Sequence, residues 1–85
     1  MVREGDLVAI FNSIHRVMKA EKILKERRID ILLIPAPRTL HSDCGLAIRY
    51  SEADRETVEK ALEESHLLPD DRYRKHGEEF IPVPL

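Results

Sequence analysis

The sequence predicts an α+β domain of two layers, an antiparallel sheet with helices along one face. Three observations lead there. Short apolar runs of strand length alternate with two longer amphipathic stretches. Prolines, glycines or capping residues punctuate the joins. The 85 residues suit one domain over 1–85 with a shallow core, because so short a chain buries only about 60 to 65% of its unfolded surface.

Asp6-Leu7-Val8-Ala9-Ile10-Phe11-Asn12 is apolar and partly β-branched between polar ends, which predicts a first strand. Asn12 or Ser13 then caps a helix to about Arg28, with Ile14, Val17, Ala20 and Leu24 as its apolar stripe and Met18 and Ile23 flanking it. Asp30-Ile31-Leu32-Leu33-Ile34 is a continuous apolar run of strand length, halted by Pro35 and Pro37. A loop follows through Asp43, and Gly45 opens a third strand over Leu46-Ala47-Ile48-Arg49-Tyr50.

Ser51-Glu52-Ala53-Asp54 resembles a capping box with an aspartate at the third position. The helix it starts is expected to reach about His66, with Val58, Ala61 and Leu62 inward and a Glu56–Lys60 surface pair worth about 0.2 to 0.5 kcal/mol. Pro69-Asp70-Asp71 ends it, and the polar stretch through Gly77 reads as a loop. Glu79-Phe80-Ile81-Pro82-Val83 reads as the last strand, and Pro82 suits an edge because it lacks a ladder donor.

The element order is β-α-β-β-α-β, the ferredoxin-like arrangement, in which the first and third strands are central. The rim where the first strand ends, the first helix starts, the second strand ends and the third begins then gathers the chain's distinctive residues. Alternation is expected to place Leu7, Ala9, Phe11 and Ala47 on the helix-free face, where a homodimer would cover them, with Arg49 beside them as a solvated arginine.

Composition narrows the function classes. With 42% hydrophobic and 35% charged residues, 14 basic against 16 acidic and a formal charge of −2, the chain fits a globular protein with no call for a polyanionic partner. Mixed charge along both helices argues against a nucleic-acid footprint. No apolar run approaches the roughly 18 residues of a membrane span, no secretory segment is evident, and a single cysteine suits a reducing compartment, so a cytoplasmic location without membrane association is expected. The chain has no glycine-rich phosphate loop, nucleophile elbow or dinucleotide fingerprint, and no cofactor is expected. His41-Ser42-Asp43-Cys44 contains metal donors but lacks a paired Cys-x-x-Cys or a second close histidine, which disfavours a metal site.

Cys44, the one cysteine, stands where the loop meets the third strand. It shares parity with Leu46, Ile48 and Tyr50, which directs it toward the helical layer near Ser13, Ile14 and His15. Unpaired amides at that helix start would favour a thiolate, and Arg38, His41 and His15 are candidate cationic supports, while Asp43 opposes them. Three readings stand at this point: a carrier or redox thiol, an inert small hydrophobe, or a metal ligand. Arg38 has the alternative of ordinary solvation, and His15 and His41 that of capping local structure. Pro35 and Pro37 shape the turn, and Gly45 allows an unusual dihedral beside the thiol.

From about Leu7 to His66 the chain resembles a small bacterial family described as selenium/sulfur carrier protein-like. The resemblance lies in Asn12-Ser13-Ile14-His15 after the opening strand, the Lys19-Ala20-Glu21-Lys22-Ile23-Leu24-Lys25 helix, the Ile34-Pro35-Ala36-Pro37-Arg38 turn and Ser42-Asp43-Cys44-Gly45-Leu46-Ala47-Ile48-Arg49. It implies a carrier rather than an enzyme, with Cys44 accepting sulfur or selenium as a persulfide or perselenide from a donor protein and passing it to an acceptor protein. The chain lacks the Cys-Pro-x-Pro sequence of well-characterised small sulfur-transfer proteins, a departure from their pattern. The alternatives are a noncatalytic regulatory or protein-interaction module using the sheet face around Ala47 and Arg49, and a thiol redox protein, which would need a resolving cysteine from another chain.

Overall fold

A computed structural model describes residues 2–84, so Met1 and Leu85 of the expected 1–85 span lie outside the description. Five strands form one antiparallel sheet: β1 (Leu7–Ile10), β2 (Ile31–Pro35), β3 (Leu46–Tyr50), β4 (Asp71–His76) and β5 (Glu79–Pro82), in the order β2-β3-β1-β4-β5. Helices α1 (Ile14–Glu26) and α2 (Arg55–Glu64) supply the second layer. The first and third strands are interior, and β5, with Pro82, is an edge, as the sequence led us to expect.

The additional strand β4 corrects the sequence reading, which took residues 71–76 as loop. Asp71-Arg72-Tyr73-Arg74-Lys75-His76 has no apolar alternation, yet it pairs with β1 from Leu7↔Arg74 to Ile10↔Asp71. Its inward positions are arginines whose charge is met by carboxylates from the helical side: Arg72 pairs with Glu59 and Arg74 with Glu52. Ion pairing replaces the apolar side chains that would have marked a strand.

Both helices begin and end on local signals. The Ser13 hydroxyl accepts from Arg16 N at 3.3 Å, capping α1. The Ser51 hydroxyl likewise accepts from Asp54 N at 3.3 Å, but the turn it caps is 3-10 (Glu52–Asp54), and α2 starts only at Arg55. Each helix stops two residues before the expected end, and the residue at that expected end has positive φ, Arg28 (60°) and His66 (56°). The bonds Ile29 N to Leu24 O (3.1 Å) and Arg28 N to Lys25 O (2.9 Å), matched by Leu67 N to Leu62 O (2.8 Å) and His66 N to Glu63 O (3.1 Å), form a Schellman motif at each end. Ile29 and Leu67 pack back on the core, which holds these left-handed turns without glycine.

The helix-facing core unites Leu7, Ala9, Phe11, Ile48 and Tyr50 with Val17, Ala20, Leu24, Val58, Ala61 and Leu62. Leu7, Ala9 and Phe11 therefore lie beneath the helices, opposite to the face expected for them. Val8 and Ile10 join Ala47 and Ile34 on the other face, covered by Val2, Ala36, Leu40, Tyr73 and Phe80. All four β1 residues are fully buried, so the strand shows no polar alternation from which its faces could be told apart. The apolar area invoked for a dimer is buried within the chain itself. Arg49 is on the helix-free face but largely buried, 3.7 Å from the Asp6 carboxylate, rather than solvated.

Candidate functional site

The rim at the end of β1 assembles as the element order requires. Pro35 pairs with Leu46 and Ala36 N donates to Gly45 O at 2.9 Å, closing the base of the β2–β3 connection. Beyond it the loop folds on itself and on the β1 terminus: Asp43 N donates to Asn12 Oδ1 at 3.4 Å, and Gly45 N to Ser42 Oγ at 3.2 Å. Gly45 has φ +73° and open space where a Cβ would stand, so backbone conformation rather than crowding selects glycine there.

This frame fixes Cys44. Its side chain is half-buried and packs against the helix-facing core, on the side its parity predicts. The Sγ lies 3.0 Å from Phe11 O, 3.5 Å from Leu46 O and 3.7 Å from Ser42 Oγ. A thiol has one proton to give and the nearer carbonyl is placed to take it. These are the contacts of an S–H donor, and a sulfur that attacks another molecule must first leave the two carbonyls.

The three cations named from the sequence are exposed side chains. His41 Nε2 lies 3.1 Å from Asp43 Oδ1 in an exposed pair, while Arg38 and His15 are exposed. Among the described residues, none of the three hydrogen-bonds to Sγ. Sequence reasoning missed the brace behind the site. Asp70 Oδ2 accepts from Asn12 N at 2.8 Å and from Arg16 Nη1 at 3.2 Å, and Arg16 Nη2 donates to Leu68 O at 2.6 Å. Arg16 also lies over the Phe11 ring, 5.7 Å from its centroid. Asp70 was legible only as part of a helix-ending Pro-Asp-Asp, because a bond across 58 residues leaves no local signature.

A second polar cluster occupies the other end of the sheet. Tyr50 donates to Glu59 Oε2 at 3.1 Å, and Arg72 and Arg55 reach the same carboxylate, Arg55 through Nε at 3.3 Å. Burial pushes the Tyr50 phenol up to about 12, against the opposing pull of Arg72 and Arg55. An open cleft nearby is lined by Arg55, Arg74, His76, Ile81, Pro82 and Val83, where both arginines reach Glu52 and His76 Nδ1 lies 3.3 Å from Glu4. Among the described residues, no three His, Cys, Asp or Glu side chains gather as a metal site, and no helix is long and apolar enough to cross a membrane.

What the fold and the rim define is a small α+β domain presenting a single thiol at a loop–strand junction. The chain belongs to the family described as "Putative Se/S carrier protein-like", whose model matches residues 6–74. That span contains Cys44, both helices and β1 to β3, and ends within β4. No curated protein and no solved structure matches the chain.

Proposed function

We propose that the chain is a sulfur or selenium carrier that holds the atom on Cys44 between a donor protein and an acceptor protein. The observation that carries this reading is the placement of the chain's one cysteine, half-buried at the junction of loop and β3, inside the span matched by a carrier-like family. We read the fold as ferredoxin-like with an added edge strand, and the setting as the bacterial cytoplasm.

The transfer balances without an outside oxidant. Cys44 gives its proton to solvent and its sulfur attacks the terminal sulfur or selenium of the donor's persulfide or perselenide. The new bond forms at Cys44 as the donor's own bond to that atom breaks, and the donor cysteine leaves as a thiolate with the electron pair. The acceptor then attacks the same terminal atom and Cys44 leaves as a thiolate. Before the first step the sulfur gives up Phe11 O and Leu46 O, so loading requires loop 42–45 to shift or the side chain to rotate.

Intact-mass measurement after incubation with a small-molecule persulfide tests the reading. The wild type is expected to gain the mass of one sulfur atom, Cys44→Ala none, and the loaded protein to return to its starting mass when an acceptor thiol is added. A wild type that never gains the atom, or gains one that no thiol removes, would leave Cys44 as a packing residue and favour the interaction-module alternative.

A further inference from the structure

We propose that the outward face of α1 is the surface on which Cys44 meets its partner, and that the partner presents an acidic, partly apolar protein surface. The proposal takes from the carrier reading the need for a partner to reach Cys44, and its own evidence is the composition of this face. Ile14 and Met18, four residues apart and so on one side of the helix, are 45% and 44% exposed. Beside them His15, Lys19 and Lys22 are exposed, and among the described residues none forms an ion pair.

The helix has no acidic residue in its first turn, and of its two acids Glu21 is engaged by Lys25 at 3.1 Å and Glu26 stands at the last position. The acids gather elsewhere, with Glu56, Glu59, Glu63 and Glu64 on α2 alone. A chain of net charge −2 thus keeps a cationic, partly apolar strip on α1. The strip starts close to the thiol along the chain, because Ile14 follows three residues after Phe11, whose carbonyl holds Sγ at 3.0 Å. Such a strip would speed encounter with a carboxylate-bearing surface and leave the two apolar side chains to be covered on contact. Two exposed apolar residues on a helix whose other side is in the core are too few for insertion into a bilayer, which favours protein over lipid.

The test uses the full chain and three probes: a peptide of alternating Glu and Leu, the same peptide with Lys for Glu, and vesicles of phosphatidylglycerol. Binding of the fluorescent peptides is read by anisotropy at low salt, with Lys19→Glu/Lys22→Glu and Met18→Gln as variants and thermal melts confirming that these exposed positions leave the fold intact. The acidic peptide is expected to bind about tenfold more tightly than the basic one, with the preference lost in 0.5 M salt or in the double variant, and the acidic peptide's affinity lowered by Met18→Gln. Equal binding of the two peptides, indifference to the double variant, or tighter capture by the vesicles than by the acidic peptide would each overturn the proposal. Loading of Cys44 by a small uncharged persulfide, followed in the same variants, separates the two claims: undiminished loading without peptide preference removes the docking surface alone, and peptide preference without loading removes the carrier reading alone.

Discussion

The sulfur of Cys44 and the carbonyl oxygen of Phe11 are 3.0 Å apart across 33 residues of chain, so the thiol is tied to the terminus of a fully buried strand. The loop carrying that thiol is in turn held by Asn12 through Asp43 N. Asn12→Ala removes this tie and is expected to raise the rate of Cys44 alkylation by iodoacetamide at neutral pH about fivefold, the factor matching a net hydrogen bond of about 1 kcal/mol. An unchanged rate would show that the loop opens independently of Asn12.

Tyr50 predicts a loss of stability in alkali. Its phenol, raised from 10.0 to about 12 in the folded chain, favours the neutral form. The corresponding stability is fully present below the unfolded value of about 10 and is lost as pH rises toward 12, on the order of 2 to 3 kcal/mol. Tyr50→Phe is expected to cost about 1 to 2 kcal/mol near neutrality, through the lost bond to Glu59, while showing a smaller further loss in alkali. Urea unfolding of both proteins at about pH 8 and pH 12 measures the difference, and parallel curves would refute the assignment.

The same carboxylate makes Glu59 sensitive to truncation. Arg72, with its side chain 4% exposed, pairs with Glu59, and its buried Nε has no partner among the described residues. Glu59→Ala is expected to cost about 3 kcal/mol by leaving that guanidinium buried without its counter-charge, whereas Arg72→Met removes the charge as well and should cost less. Denaturant midpoints decide, and a Glu59→Ala variant at least as stable as Arg72→Met would contradict the ordering.

Arg49 and Asp6 behave differently because their contact is long. At 3.7 Å the pair is weak, Arg49 Nε is buried without a partner, and Asp6 also accepts from Arg3 N at 2.9 Å. Arg49→Met is therefore expected to leave stability within about 1 kcal/mol of wild type or raise it, with Asp6→Ala the more damaging change. Thermal unfolding of the two variants gives the comparison, and the reverse ranking would mean that the ion pair carries the stability.

Most of the chain's secondary structure was legible because the signals are local. Ser13 announces the start of α1 and Ser51 that of the 3-10 turn before α2 through their own hydroxyls, and of the expected stripe Val17, Ala20 and Leu24 are buried, whereas Ile14, at the first position of the helix, is exposed. The Cys44 side chain fell on the helical layer because strand parity extends backward from Leu46. The family resemblance was likewise legible, in the turn and the residues around Cys44, and the matched span of residues 6–74 agrees with it.

By itself, then, the sequence determined both helices, four of the strands, the interior positions of the first and third, and the side of the sheet on which the cysteine lies. Tertiary structure alone decided the rest. The faces of β1 could not be separated because all four residues are apolar and a strand buried on both sides has no alternation to read. The fourth strand was hidden because Arg72 and Arg74 take inward positions only by virtue of Glu59 and Glu52, carboxylates that adjoin them after folding. The sulfur's surroundings were hidden for the same reason: Phe11 O and the Asn12–Asp70–Arg16 brace come from segments distant in sequence, and backbone carbonyls, which every residue has, leave no mark in the order of side chains.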